Sequence, residues 1–266
     1  MTSSVQVMGI VNVTPDSFFP DARTESIADA IARGQELFDV GVDVVDVGGE
    51  STRPGADDVA ADEECDRILD VIATLSARGE VSVDTQKAVV ARRAVDAGAT
   101  IINDVSCSLA AVAGELGVGY VAMHRQGDSR TMQIAPHYDD VVAEVLTFLD
   151  EAARSARAVG VERLWLDPGI GFGKTSEHNL TLLAHTDRFA ALATEHGAGL
   201  LIGTSRKRFL GELAPESLPV QERLEGSVAT AAWALARGAS MVRVHDVGVA
   251  VQLRDLLQRP VEEVTA

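Results

Sequence analysis

The apolar positions of this chain fall into eight short runs, and between successive runs the pattern changes to a helical period. Residues 5–11, 43–48, 81–85, 100–104, 120–124, 164–167, 200–205 and 241–245 are rich in Val, Ile and Leu. Runs of that length and composition predict buried parallel strands. Residues 62–75, 87–97, 139–158, 177–195, 223–237 and 249–257 carry apolar residues at helical spacing, and a weaker helical pattern occupies 110–116. The earliest helix presents Ile27, Ala30, Ile31, Leu37 and Phe38 on one face, with Ser26 placed to cap it and Gly41 to end it. Residues 206–221 are mixed. Strand and helix alternating at near-constant spacing predict an α/β chain folded as a single (β/α)8, or TIM, barrel, with residues 1–266 forming one domain. The competing architecture is an open doubly wound sheet, which calls for a Gly-x-Gly-x-x-Gly turn after an early strand. The run Gly169-Ile-Gly-Phe-Gly173 follows the sixth strand instead.

Composition narrows the chemistry. The chain has 266 residues, a hydrophobic fraction of 46% and a formal net charge of −17. So acidic a protein repels nucleic-acid backbones and anionic lipid, which argues against both as partners. An anionic substrate has to be met by a local basic site. The two cysteines, Cys65 and Cys107, show no metal-ligand spacing and suit a reduced cytoplasm. The first residues lack a basic, apolar targeting pattern, and no apolar run is long enough to cross a bilayer, so a cytoplasmic protein is expected.

The strand ends carry the candidate chemistry, because active groups of parallel barrels lie at the C-terminal ends of the strands. In order they are Asn12; Asp46, with Arg53 in the following turn; Asp84; Asn103 and Asp104; His124; Asp167; Ser205, Arg206 and Lys207; and Arg243 with His245. Asp84, Asn103, Asp167 and Lys207 offer the acceptors and donors that read a flat, nitrogen-rich ring; the alternative is hydrogen bonding to strand backbone. Arg53, Arg243 and His245, with Asn12, suit an anion, since an arginine fork grips phosphate at two points. Arg243 has the alternative of an ion pair with a core aspartate. His124 is open between a ligand or base and a satisfied core residue. The glycines of residues 169–173 allow close backbone approach to a flat ligand, and Phe172 offers it an aromatic wall.

Taken together the motifs resemble a known family. Asn12-Val-Thr-Pro-Asp-Ser-Phe18, Asp46-Val-Gly-Gly-Glu-Ser-Thr-Arg-Pro-Gly55, Ser82-Val-Asp-Thr85, Ile102-Asn-Asp-Val105, Met123-His124, Thr131-Met-Gln133, Asp167-Pro-Gly-Ile-Gly-Phe-Gly-Lys174, Ser205-Arg-Lys207 and Arg243-Val-His-Asp246 are similar, in order, to the motif series of the dihydropteroate synthases. The resemblance implies a transferase of folate biosynthesis. Such an enzyme joins 6-hydroxymethyl-7,8-dihydropterin diphosphate to p-aminobenzoate, releases pyrophosphate and is the target of sulfonamides. It implies pterin contacts from Asp84, Asn103, Asp167 and Lys207, and diphosphate contacts from Asn12, Arg53, Arg243 and His245. Asn12 would also lie near a Mg²⁺ cofactor. Thr52, Pro54, Phe172 and Lys207 would border p-aminobenzoate. Asp84, Lys207, Arg243 and His245 would be the catalytic groups. It also implies a homodimer, to which the Ala-rich segment 228–236 could contribute small residues.

Two places depart from the family pattern. The first loop reads Ser17-Phe-Phe-Pro-Asp-Ala-Arg23, where the family has Ser-Phe-Ser-Asp-Gly-Gly, and Cys107 stands where the family has glycine. The changes at Phe19, Pro20 and Asp21 keep open a paralogue that binds pterin without condensing it. A methyltetrahydrofolate:corrinoid methyltransferase is the other rival, but it has no need of Arg53, Arg243 and His245 around a diphosphate.

Overall fold

The computed structural model describes residues 5–14, 27–51, 58–214 and 216–259. Eight parallel strands close in chain order into a barrel. They are β1 (Gln6–Asn12), β2 (Val44–Gly48), β3 (Glu80–Asp84), β4 (Ile101–Asp104), β5 (Gly119–Met123), β6 (Leu164–Asp167), β7 (Gly199–Ile202) and β8 (Met241–Val244). The helices are α1 (Ile27–Val40), α2 (Ala61–Leu75), α3 (Ala88–Asp96), α4 (Ala110–Leu116), α5 (Val141–Ala158), α6 (Ser176–Ala184), α7 (Thr186–Glu195), α8 (Arg208–Glu212), α9 (Leu224–Ala236) and α10 (Val247–Gln258).

Strand alternation sorts the side chains into two environments. Outward-facing Val45, Val47, Val81 and Val83 join the helices in the main core. Inward-facing Met8, Val44, Ile101, Val121, Trp165, Leu201 and Met241 form a second apolar cluster that plugs the barrel. Met8 and Leu201 have no exposed surface, so truncating either to Ala costs about 2–5 kcal/mol. Two residues further along the same strands, the inward positions turn polar: Val44 is followed by Asp46, Ile101 by Asn103, Trp165 by Asp167 and Met241 by Arg243. The register levels these groups, since Asp84 pairs with both Gly48 and Asn103, and Met123 with Asp167. A polar floor therefore lies on an apolar plug at the C-terminal end of the barrel.

The helical pattern over 177–195 is two helices rather than one. Ladder formation stops at His185 because carbonyls at the end of α6 are taken by other side chains. Trp233 Nε1 donates to Leu183 O at 2.9 Å, Thr186 Oγ1 to the same oxygen at 2.8 Å, and Arg237 Nη1 to Ala184 O at 3.3 Å. The chain can then redirect, with α6 packing on α5 and α8 and α7 lying on β7. The mixed stretch 206–221 contains α8 and the start of a 3₁₀ turn at Val220–Glu222. β7 stops at Ile202 and β8 at Val244, so Ser205 and His245 lie in the turns beyond them. Ser26 and residues 19–21 lie outside the described residues.

Candidate active site

The polar floor opens into a cavity of about 620 Å³. Asn12, Asp84, Asn103, Asp167, Phe172, Lys207, Arg243 and His245 all line it. Sequence reasoning singled out each of these, from six strand ends and the loop after β6. Thr52, Arg53 and Pro54 lie outside the described residues.

At the centre is Arg243. Its Nε donates to Asp46 Oδ2 at 2.6 Å and its Nη2 to Asp84 Oδ2 at 2.7 Å. Asn103 Nδ2 donates to the same Asp46 oxygen at 3.0 Å. The ion pair with a core aspartate is thus present, and twice over. Arg243 also lines the cavity, together with Asp84 and His245. Asp84 Oδ1 and Asp46 Oδ1 are buried with no hydrogen-bond partner among the described residues. A buried, unmatched carboxylate oxygen costs roughly 1–3 kcal/mol, which a ligand N–H would recover at Asp84. Burial pushes the Asp84 carboxyl well above the usual range; Arg243 opposes this and Asp46 adds to it. Burial also raises Asp167, with Lys207 opposing. Lys207 itself is pushed down to about 8 by burial, which Asp167 partly offsets.

Lys207 follows an unusual turn. Arg206 has φ of 57°, in the left-handed region that non-glycine residues avoid. Its side chain holds the turn in place: Nε reaches Asp246 Oδ2 at 2.8 Å, and its amide donates to Ser227 Oγ at 2.8 Å. Lys207 Nζ donates to Ile170 O and sits 4.7 Å from the centre of the Phe172 ring. Two residues before Lys207, Ser205 Oγ lies 3.1 Å from His245 Nδ1 and also accepts the His245 amide at 3.1 Å.

His124 proves to be a satisfied core residue. Lys174 Nζ donates to its Nδ1 at 2.9 Å, and its ring packs edge-on against Phe148 at 4.9 Å. Burial first, and then the Lys174 ammonium, pushes it down to about 3, so it is neutral at ordinary pH. Among the described residues no three His, Cys, Asp or Glu side chains group to hold a metal.

Comparison with known proteins identifies the family. The family model described as pterin binding enzyme matches residues 8–245. The dihydropteroate synthase of Escherichia coli K12 is 43% identical over 258 residues, covering 94% of this chain and 89% of its own. The chain belongs to the dihydropteroate synthases. Among solved structures, Xanthomonas albilineans dihydropteroate synthase with 4-aminobenzoic acid is 44% identical with a TM-score of 0.86, covering 97% of this chain and 93% of its own. Yersinia pestis dihydropteroate synthase, in complex with a sulfonamide drug, is 39% identical with a TM-score of 0.89, covering 97% and 94%. The family is a transferase family, so catalysis is the activity to account for in the mouth described above. Sequence reasoning assigned no role to Lys174, although it quoted it within a motif. Its only signal was a lysine closing a glycine run.

Proposed function

We propose that the barrel mouth condenses 6-hydroxymethyl-7,8-dihydropterin diphosphate with p-aminobenzoate, giving 7,8-dihydropteroate and pyrophosphate, and that residues 1–266 act as one catalytic domain. The observation that carries this reading is the buried Asp84 Oδ1 without a donor, beside an arginine bound to two carboxylates. Asp84, Asn103 and Asp167 take the pterin ring, whose N–H and amino edge supplies the donors those acceptors need. Lys207 lies over the ring half, between the pterin and the arylamine. Phe172, with Thr52 and Pro54, borders the p-aminobenzoate.

Loss of diphosphate leaves positive charge on the pterin methylene and negative charge on the leaving group. Asp84 and Asp167 stabilise the first; Arg243 and His245, with Arg53, stabilise the second. Arg243 touches Asp84 and lies beside the anion half, so it couples the two developing charges. The C–O bond breaks as the diphosphate leaves with its electron pair; the arylamine nitrogen then attacks the methylene carbon, forming the C–N bond, and loses its proton to solvent. A diphosphate substrate fits Mg²⁺ here, because that ion binds through substrate phosphates and few protein oxygens, and Asn12 offers one at the cavity wall. When bound, the ion neutralises charge on the leaving group.

No helix among the described residues is long and apolar enough to cross a membrane, which supports a cytoplasmic setting. A homodimer through the late helices is the expected assembly; equilibrium sedimentation at micromolar concentration would show a pure monomer if that is wrong. Activity is tested by following pyrophosphate release from the pterin diphosphate with Mg²⁺. Release should require p-aminobenzoate. Tight pterin-diphosphate binding without release would favour the binding-only paralogue.

A further inference from the structure

The glycine run after β6 is held in an unusual way. All five of its successive carbonyls, from Gly169 to Gly173, accept from a side chain. Lys174 Nζ donates to Gly169 O and to Phe172 O, each at 3.0 Å. Lys207 takes Ile170 O. Gln133 Nε2 donates to Gly171 O at 2.9 Å, and Tyr138 Oη to Gly173 O at 2.9 Å. The amides are claimed as well, Gly169 N by Asp167 Oδ1 and Gly171 N by Asn179 Oδ1, both at 2.7 Å. Gly169, Gly171 and Gly173 have φ of 66°, 85° and 64°, so the peptide planes turn over at every second residue. A backbone of that shape has no ladder of its own, and side chains must fix it.

Lys174 is the centre of this arrangement. It is 2% exposed, burial pushes its ammonium down to about 7, and in the charged form its three protons are matched by three acceptors, the third being His124 Nδ1. No carboxylate touches it in an ion pair among the described residues. A buried ammonium spent on two loop carbonyls and one imidazole is costly unless the loop shape itself matters. Gly171 and Phe172 of this run line the cavity, and Phe172 is the one that brings a side chain to it.

We infer that Lys174 and Gln133 are positioning residues for the arylamine half of the mouth, acting through the backbone of residues 169–173 to set the Phe172 ring. The inference rests on the reading in which Phe172 borders p-aminobenzoate. Lys174 reaches the loop from inside the fold, and Gln133 reaches it from the loop after β5. Both also line the cavity, whereas the groups proposed for the pterin ring, Asp84, Asn103 and Asp167, come from strand ends.

The test is steady-state kinetics on the full chain with Lys174→Met, Lys174→Arg, Gln133→Ala, Phe172→Ala and the double variant Phe172→Ala with Lys174→Met. Lys174→Met is expected to raise KM for p-aminobenzoate about tenfold, since small misplacements of a binding group cost that much or more. Gln133→Ala, which leaves the buried lysine in place, is expected to raise it roughly threefold and guards against a folding failure of Lys174→Met. KM for the pterin diphosphate should stay within about twofold in both, and Lys174→Arg should restore part of the effect. In the double variant the p-aminobenzoate KM should match Phe172→Ala alone, because the lysine acts through that ring. Additive effects, or equal losses for both substrates, would overturn the inference while leaving the Phe172 assignment standing. An unchanged KM in Phe172→Ala would overturn the assignment and the inference with it.

Discussion

His124 makes the protein acid-sensitive in a way that can be calculated. The unfolded residue takes up a proton around its ordinary pKa of 6.5, whereas the folded one resists until about 3, through burial and then the Lys174 ammonium. The folded state therefore binds the proton more weakly than the unfolded state. The contribution is full above pH 6.5 and is lost as pH falls from there toward 3. Between pH 7 and pH 5 this one residue costs about 2 kcal/mol, from RT ln[(1 + 10^1.5)/(1 + 10^−0.5)]. For a chain of this size that lowers Tm by roughly 4–8 °C. The control is His124→Asn, whose Oδ1 still accepts from Lys174 and cannot be charged. It loses ring packing on Phe148, so its stability at pH 7 is lower, but its drop between pH 7 and pH 5 should be about 2 kcal/mol smaller than that of the natural chain. Urea unfolding at the two pH values measures both drops, and carboxylate titration is common to the two proteins. Equal drops would refute the reasoning, as would an imidazole NMR titration of folded His124 with a midpoint near 6.5.

Three further outcomes follow from the same physics. Cys107 has φ of 56°, and Cys107→Gly should stabilise the chain by about 1 kcal/mol in urea unfolding, since the left-handed region costs a side chain that much; a destabilised variant would show that packing of the thiol outweighs the strain. Arg157 donates to Val161 O and Glu162 O, both at 2.7 Å, and to His196 O and Gly197 O, tying the ends of α5 and α7 together. Arg157→Ala should lose about 3 kcal/mol in thermal unfolding while turnover of the remaining folded enzyme is kept. A Cβ on Gly169 would lie 1.8 Å from His124 O, so Gly169→Ala should cut pyrophosphate release by about 10²-fold or more, and near-normal release would mean the turn can relax.

The barrel was legible in the sequence because each strand is a short Val- and Ile-rich run closed by a polar residue, and each helix keeps its own period. The mouth was legible for the same reason. Asp46, Asp84, Asn103, Asp167 and Arg243 each sit two positions beyond an apolar inward residue or close a strand, so alternation alone aims them at one end. The break at His185 was not legible. The apolar period runs on through it, and the cause is Trp233 and Arg237, about 50 residues away in sequence, drawing on carbonyls at the end of α6. Arg243 could be read as an anion ligand or as the partner of a core aspartate, and only the fold shows Asp46 on its Nε and Asp84 on its Nη2. His124 and Lys174 were undetermined because each depends on the other across 50 residues. Thr52, Arg53 and Pro54 stay with the family resemblance alone.

The central claim is that one mouth has a ring half and an anion half, and calorimetry can test it directly. The dihydropterin alcohol and its diphosphate, the latter with Mg²⁺, would be titrated into the natural chain, Asp167→Asn and His245→Ala. Asp167→Asn should weaken both ligands by the same factor, and His245→Ala should weaken only the diphosphate. A His245→Ala variant that weakens both equally, or an Asp167→Asn variant that weakens neither, would contradict the division of the mouth.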